Sequence, residues 1–93
     1  MNGIWIKDQN GILRCGAQAF AKYDGWGGAL RPRIRLAYDC GVERGWEWED
    51  VAEYTTEAAR DSAWQMLEKA IATGVRLFRF PTQEEIEKEE REE

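Results

Sequence analysis

Four of the five tryptophans are the side chains best suited to contact another molecule. Trp5 lies in the first predicted strand, Trp26 lies among glycines, and Trp46 and Trp48 share one face of a later strand. Five indoles are too many for a chain of 93 residues to bury completely. Because exposed aromatics are frequent hot spots of protein interfaces, the pattern predicts a protein-binding surface. The alternative is a second small apolar cluster beneath a long loop.

An acidic run accompanies the tryptophans of the later strand. Glu47, Glu49 and Asp50 alternate with or follow the indoles, so we expect them to complement a basic partner, such as the groove of a nucleic-acid enzyme. Their spacing does not match a calcium loop, and no metal site is predicted. The alternative is an edge strand that charge protects from aggregation.

A basic strip is the second candidate site. Its members are Phe20, Lys22, Arg31, Arg33 and Arg35. They share one sheet face if the second and third strands pair with Ala19 opposite Leu36, which also sets Cys15 opposite Cys40. Such a strip could follow a phosphate backbone or hold a nucleotide. The alternative is that the arginines form ion pairs with the acidic residues of the next strand.

The usual catalytic groups are scarce. The chain has no His, which removes the commonest general base and the commonest zinc ligand. It also lacks the Gly-x-Ser-x-Gly, P-loop and dinucleotide-binding motifs. The glycine-rich residues 25–28 precede a strand and so lack the helix dipole of a phosphate cradle. Cys15 and Cys40 have no C-x-x-C spacing and are expected in the core. We therefore predict a protein that is not an enzyme and holds no cofactor.

Acidity is concentrated at the C-terminal end. Residues 84–93 contain seven Glu against Lys88 and Arg91, which accounts for the whole net charge of −5. The neutral remainder does not fit a body coated with negative charge, as in a decoy that mimics a nucleic-acid duplex. There is no apolar run long enough to cross a membrane and no signal-like start, so we expect a soluble, cytoplasmic protein.

One helix is predicted over residues 56–74. Thr55 or Thr56 is suited to the N-cap, and Gly74 is a natural left-handed stop. Apolar residues recur at helical spacing and predict one buried stripe. The stripe is Ala59, Ala63, Trp64, Leu67, Ala70 and Ile71.

Strands are predicted at residues 4–9, 12–23, 33–39, 46–54 and 75–80. An Asn-Gly turn closes the first pair, so that Ile6 lies opposite Cys15. A bulge near Asp50 is left open, because it would exchange the faces of the fourth strand. The predicted fold is α+β: a twisted antiparallel sheet of four or five strands, in ββββαβ order, with one helix on one face. This domain spans residues 1–81. Residues 82–93 form a solvated helix, which a capping box at Thr82 can start, or a disordered tail.

Three short segments resemble a group of small phage and mobile-element proteins from Gram-positive bacteria. They are WIKDQNG at residues 5–11, EYTTE at residues 53–57 before an Ala-rich helix, and Phe-Pro at residues 80–81. The group has a WIRSQ-like first strand, a GEYS-like start of its helix, and an aromatic residue or Met before Pro. The chain departs from it in the glycine-rich residues 24–31 and in the two tryptophans of the fourth strand. The resemblance carries no activity; it implies phage cargo, where small acidic proteins often inhibit host defence.

These observations together predict a non-enzymatic protein-binding module, and more specifically an inhibitor of the anti-CRISPR kind. It would occupy the surface of a host protein, such as a nucleic-acid-processing defence effector. Two alternatives stay open: a nucleic-acid or nucleotide binder that uses the basic strip, and a structural homodimer joined through an edge strand or the tryptophan face.

Overall fold

The computed structural model describes residues 4–17, 19–24, 31–39, 42–43 and 45–92. Within them the chain forms strands and helices in the order βββββαβα, which confirms the predicted α+β class. Their bounds are β1 (Trp5–Lys7), β2 (Leu13–Arg14), β3 (Ala19–Tyr23), β4 (Arg33–Asp39), β5 (Trp46–Glu53), α1 (Glu57–Thr73), β6 (Leu77–Arg79) and α2 (Gln83–Glu92). No helix of this described part is both long and apolar enough to cross a bilayer.

The strands form two sheets of three strands each, and the prediction of one antiparallel sheet of four or five strands is wrong. Sheet I has the order β2-β1-β6 and sheet II the order β3-β4-β5. Neighbouring strands are antiparallel, except that β1 and β6 are parallel. The predicted strand over residues 12–23 is divided between the sheets. Gly16 interrupts it with a left-handed φ of 76°, through which a strand cannot continue.

The first hairpin has a loop one residue longer than predicted. Ile6 lies opposite Arg14, whereas a two-residue Asn-Gly turn predicted Cys15 at that position. The N–H of Gly11 donates to the carbonyl of Asp8 at 3.0 Å, and Gly11 has a φ of 84°. This is a three-residue loop in which glycine supplies the left-handed residue. The shift places Arg14 on the face of Ile6 and leaves Cys15 exposed, not buried as predicted.

The hairpin of β3 and β4 is also shifted by one residue. Phe20 lies opposite Leu36 and Ala19 opposite Ala37, whereas the predicted register placed Ala19 opposite Leu36. Phe20 consequently packs against the core cluster. A phenyl ring removes more apolar surface from water than an alanine methyl group, which favours the observed register.

A β-bulge divides β5 into two halves. Asp50 lies opposite Arg35 and Ala52 opposite Ile34, so Val51 is the extra residue. Val51 and Ala52 are both buried, which reverses the alternation of faces at this point. The first half of the strand is exposed on both faces, whereas the second half contributes to the core.

Helix α1 follows its prediction closely. The hydroxyl of Thr56 accepts the N–H of Ala59 at 3.1 Å, and Gly74 ends the helix with a φ of 74°. Four members of the predicted stripe are buried and two are packed against the core at its margin. They are Ala59, Ala63, Leu67 and Ala70, followed by Trp64 and Ile71.

Arg60 is the exception on α1, because it lies outside the predicted apolar stripe and is nevertheless buried. Its side chain is 7% exposed, and it forms ion pairs with Asp24 and, at 3.0 Å, with Asp61. Burial alone lowers the pKa of this guanidinium, but the hydrogen bonds to the two carboxylates outweigh burial and raise the pKa. Arg60 therefore links α1 to the end of β3.

The acidic C-terminal segment forms α2. The N–H of Glu85 donates to the hydroxyl of Thr82, and the N–H of Thr82 donates to the carboxylate of Glu85, both at 3.2 Å, which is the predicted capping box. Arg79 donates to both oxygens of the same carboxylate, at 2.8 and 2.5 Å. The Arg79 bonds, followed by the Thr82 N–H, lower the pKa of Glu85 to about 2. Ile86 is buried in the core and anchors the helix.

Gln9 and Tyr54 join the two sheets to the start of α2. The N–H of Gln9 donates to the carbonyl of Val51 at 3.3 Å. The Gln9 side chain accepts the N–H of Glu53 at 2.7 Å and donates to the carbonyl of Pro81 at 3.0 Å. The Tyr54 hydroxyl donates to the same Pro81 carbonyl at 2.7 Å, and burial raises the pKa of this phenol. One core therefore receives side chains from both sheets and both helices.

Candidate protein-binding surface

The exposed half of β5 carries two of the predicted tryptophans. Trp46 is 55% exposed and Trp48 is 46% exposed. Residues two apart share a face of a strand, so both indoles lie on the face of sheet II that points away from the core. Trp48 lies opposite Ala37, and Ala37 lies opposite Ala19, so small side chains occupy the neighbouring positions. We call residues Trp46, Glu47, Trp48, Glu49 and Asp50 the β5 surface.

The acids of the β5 surface lie on both sides of the strand. Asp50 shares the outer face with the indoles, whereas Glu47 and Glu49 lie on the opposite face, where Glu49 is paired with Leu36. All three acids are exposed. On β5, Asp50 therefore lies on the same face as the two indoles, and the two glutamates lie on the other face.

Ion pairs occupy the outer face of sheet II next to the indoles. Asp50 accepts hydrogen bonds from Arg35 at 2.6 Å and from Arg33 at 2.9 Å, and Glu53 accepts one from Arg33 at 3.2 Å. The guanidinium of Arg35 also lies 3.7 Å from the centre of the Tyr23 ring. These arginines thus pair with acids of the next strand, which is the alternative that the sequence left open for the basic strip.

The predicted basic strip is not continuous. Phe20 and Lys22 lie on the helix-facing side of β3, whereas Arg33 and Arg35 lie on the outer face of β4. The Nζ atom of Lys22 lies 5.7 Å from the centre of the Trp64 ring on α1. The prediction that these residues share a face is wrong because the β3–β4 register differs by one residue. Arg31 lies beside the outer set, where it pairs with Glu53 at 3.8 Å.

A partly buried polar network, which no sequence pattern predicted, supports the glutamates of β5. One carboxylate oxygen of Asp8 accepts two N–H groups of the hairpin loop, both at 2.9 Å, and the other accepts Nε of Arg14 at 3.1 Å. Arg14 also donates to the hydroxyl of Tyr38 at 3.1 Å and pairs with Glu49. The network therefore connects the first hairpin of sheet I to β4 and β5 of sheet II.

The pKa shifts of Arg14 and Tyr38 favour a structural role for this network over acid–base chemistry. The hydrogen bond with Tyr38 raises the pKa of Arg14, and burial raises the pKa of the Tyr38 phenol. Arg14 therefore stays charged and Tyr38 stays neutral near pH 7, where a general acid or base would need a pKa close to the working pH. What the network can do is hold Glu49 in one position on β5.

Trp5 belongs to a different surface from Trp46 and Trp48. It lies opposite Leu77 on the outer face of sheet I, and Leu13, opposite Lys7, lies on the same face. Trp5 is 45% exposed, and Leu13 and Leu77 are each 54% exposed. The composition of the sequence singles out Trp5 but not the two leucines, because only the strand register brings the three side chains together. The described members of the predicted tryptophan set are therefore divided between two sheets.

Some of the predicted features lie outside the described residues. They include Trp26, the glycine-rich residues 25–28 and Cys40. Among the residues that are described, no group of three or more His, Cys, Asp or Glu side chains is placed to hold a metal ion.

No protein-family model, curated protein or solved structure matches the chain. The resemblance to phage and mobile-element proteins therefore stays a prediction that depends on three short segments.

Proposed function

We propose that the protein is a non-enzymatic binding module that attaches to a partner protein through the β5 surface. The observation that carries this proposal is the pair Trp46 and Trp48, each about half exposed on a strand segment that is exposed on both faces. Removal of apolar surface from water is favourable by a free energy of about 25 cal/mol per Å², so a partner that covered the indoles would gain from this effect. Tryptophan is also among the residues that contribute most to protein interfaces. Two adjacent exposed indoles on a regular strand therefore favour a contact surface.

The proposed biological role is inhibition of a host defence protein, and this part rests on the resemblance to phage proteins. Proteins that process nucleic acids carry basic surfaces for the phosphate backbone. Glu47 and Glu49 supply negative charge on the face of β5 opposite the indoles, where Glu49 also pairs with Arg14, and this charge suits such a basic surface. Asp50 lies on the face of the indoles, where Arg33 and Arg35 already pair with it. An inhibitor of this kind would act by occupying the partner, and it would need no catalytic group of its own.

The test is affinity capture from a nuclease-treated lysate of a Gram-positive bacterium, with three forms of the chain as bait. They are the wild type, Trp48→Ala and Trp5→Ala. The two variants form a matched pair, because Trp48 and Trp5 are 46% and 45% exposed but lie on different sheets. We expect the wild type and Trp5→Ala to retain the same stoichiometric protein, and Trp48→Ala to lose most of it. Thermal unfolding of each variant shows whether the fold is intact.

Three other outcomes would contradict binding through the β5 surface and favour a different site or function. Loss of capture with Trp5→Ala but not with Trp48→Ala would assign binding to sheet I. Retained nucleotide or nucleic acid that Arg33→Glu abolishes would support the basic residues of β4 instead. A chain that captures nothing and has twice its own mass in solution would support the structural homodimer. If the captured protein is a nuclease, its activity in the presence of the wild-type chain tests inhibition directly.

A further inference from the structure

Among the described residues, none pairs through backbone hydrogen bonds with the outer edge of β5 along its exposed half. Among the described strands, β5 is the last strand of sheet II and pairs with β4 on one side. Sheet I reaches the other side at Val51, whose carbonyl accepts the N–H of Gln9, and at Glu53, whose N–H donates to the Gln9 side chain. The backbone of the segment from Trp46 to Asp50 lies beyond these contacts, and sheet I reaches this segment through the side-chain ion pair of Arg14 and Glu49. A strand edge of this kind presents a row of N–H and C=O groups with which another strand can pair.

A strand added at this edge would meet different side chains on its two faces. Trp46 and Trp48 lie on one face and Glu47 and Glu49 on the other. Because the side chains of an added strand alternate between the same two faces, its sequence should alternate as well. Lys or Arg complements the glutamates, and an aliphatic side chain packs on the indoles. A second cation also suits the indole face, since cations bind above aromatic rings.

The glutamates disfavour pairing of this edge with a second copy of the chain. Antiparallel pairing centred on Trp48 would place Glu47 opposite Glu49, and parallel pairing in register would place each glutamate beside its own copy. Like charges directly opposite each other destabilise a sheet. A basic strand replaces this repulsion with attraction, so the edge favours a basic partner over a second copy of the chain.

We propose that the β5 edge binds an extended basic segment of a partner protein by strand addition. This inference rests on the proposed function, because it requires β5 to be the contact surface. Gln9 sets one limit of the added strand, since it already occupies the carbonyl of Val51. The partner segment therefore pairs with residues Trp46 to Asp50.

The probe is a synthetic peptide in which Lys and Val alternate, titrated into the full chain and followed by tryptophan fluorescence and amide hydrogen exchange. Two further versions carry N-methyl groups, one on the Lys residues and the other on the Val residues. In an added strand every second N–H points to β5. One methylated version should therefore bind about tenfold more weakly or worse, while the other keeps its affinity. The unmodified peptide should protect from exchange those amides of residues 46–50 that point to the outer edge, because the alternate amides already point to β4.

Two charge variants of the protein complete the test. Glu47→Lys should weaken peptide binding by about tenfold, because it places a cation opposite the Lys residues of the peptide. Glu68→Lys makes the same charge change on the exposed side of α1 and should leave binding unchanged. Equal effects of the two variants, equal affinity of both methylated peptides, or no binding of the unmodified peptide would overturn strand addition.

Failure of this inference is distinguishable from failure of the proposed function. If the peptide does not bind but capture of the host protein still depends on Trp48, strand addition is wrong and the binding role stands. If capture is independent of Trp48, the proposed function is itself wrong, and strand addition at β5 is wrong with it.

Discussion

The ion pair of Asp8 and Arg14 should stabilise the fold more than the pair of Arg79 and Glu85, although the second pair is shorter. The contacts of Arg14 with Asp8 are 3.1 Å, and those of Arg79 with Glu85 are 2.8 and 2.5 Å. The side chains of the first pair are 20% and 2% exposed, and those of the second pair are 52% and 44% exposed. An exposed pair typically contributes about 0.2–1 kcal/mol. Coupling within a network of contacting residues reaches about 0.5–3 kcal/mol.

We therefore expect a coupling free energy of about 2 kcal/mol between Asp8 and Arg14, and of about 0.5 kcal/mol or less between Arg79 and Glu85. Two double-mutant cycles measure these values from urea unfolding followed by circular dichroism. The first cycle uses Asp8→Asn and Arg14→Met, and the second uses Glu85→Gln and Arg79→Met. Asparagine keeps the oxygen that accepts the two loop N–H groups, and glutamine keeps the capping box. In each variant the amide NH2 then faces the guanidinium, so each cycle measures the charge interaction together with the hydrogen bond that this NH2 cannot accept, while the backbone contacts are kept.

We argue that the burial of an ion pair affects its coupling free energy more than its distance does. This is refuted if the coupling between Arg79 and Glu85 equals or exceeds the coupling between Asp8 and Arg14. The Asp8→Asn variant has a second expected result. It should leave Arg14 without its most buried partner and lower the free energy of unfolding by about 1–3 kcal/mol. An unchanged free energy of unfolding would mean that Glu49 and Tyr38 are sufficient for Arg14.

Three further predictions concern other elements of the fold. The pKa of Glu85 is lowered from 4.5 to about 2, so its ionised carboxylate stabilises the fold fully above about pH 4.5 and loses this effect as the pH falls towards 2. Helicity measured by circular dichroism should fall over the same pH range in the wild type, and this fall should be absent in Glu85→Gln. Gly74→Ala should lower the free energy of unfolding by about 1–2 kcal/mol in urea titrations, because a φ of 74° is unfavourable for a residue with a Cβ, and an unchanged midpoint would contradict this. Gln9→Met removes the acceptor of the Glu53 N–H and one donor to Pro81, so unfolding should show a loss of about 1–3 kcal/mol; a smaller loss would mean that water replaces the bonds.

Helix α1 could be predicted closely because its determinants are local. The N-cap Thr56, the stop at Gly74 and the apolar spacing between them all lie within the helix and its immediate flanks. The capping box at the start of α2 is local in the same way. The burial of Arg60 could not be predicted, because its partner Asp24 lies at the end of β3, 36 residues earlier in the chain. A helical pattern shows where a side chain lies on the helix but not which distant carboxylate will cover it.

The predicted registers of the β1–β2 and β3–β4 hairpins were both wrong by one residue. In each hairpin, the interaction that sets the register leaves no periodic pattern in the sequence. In the first hairpin, Asp8 accepts two loop N–H groups and so favours a three-residue loop over the two-residue turn that Asn-Gly suggests. An acid just before the turn is the signal that could have revealed this loop. In the second hairpin, burial of Phe20 selects the register. A shift of one residue moves every side chain to the other face, which is why the basic strip was predicted as one surface.

The bulge at Val51 is what allows one strand to serve both the core and the candidate surface. Without it, strict alternation would put Trp46, Trp48, Ala52 and Tyr54 on the same face. Ala52 and Tyr54 are buried in the core, so both indoles would then lie on the core side of sheet II. The extra residue reverses the alternation: Val51 and Ala52 both point inward, and the indoles point outward. The exposure of the two tryptophans is therefore a consequence of strand geometry, and the sequence, which is compatible with a bulge or with none, did not determine it.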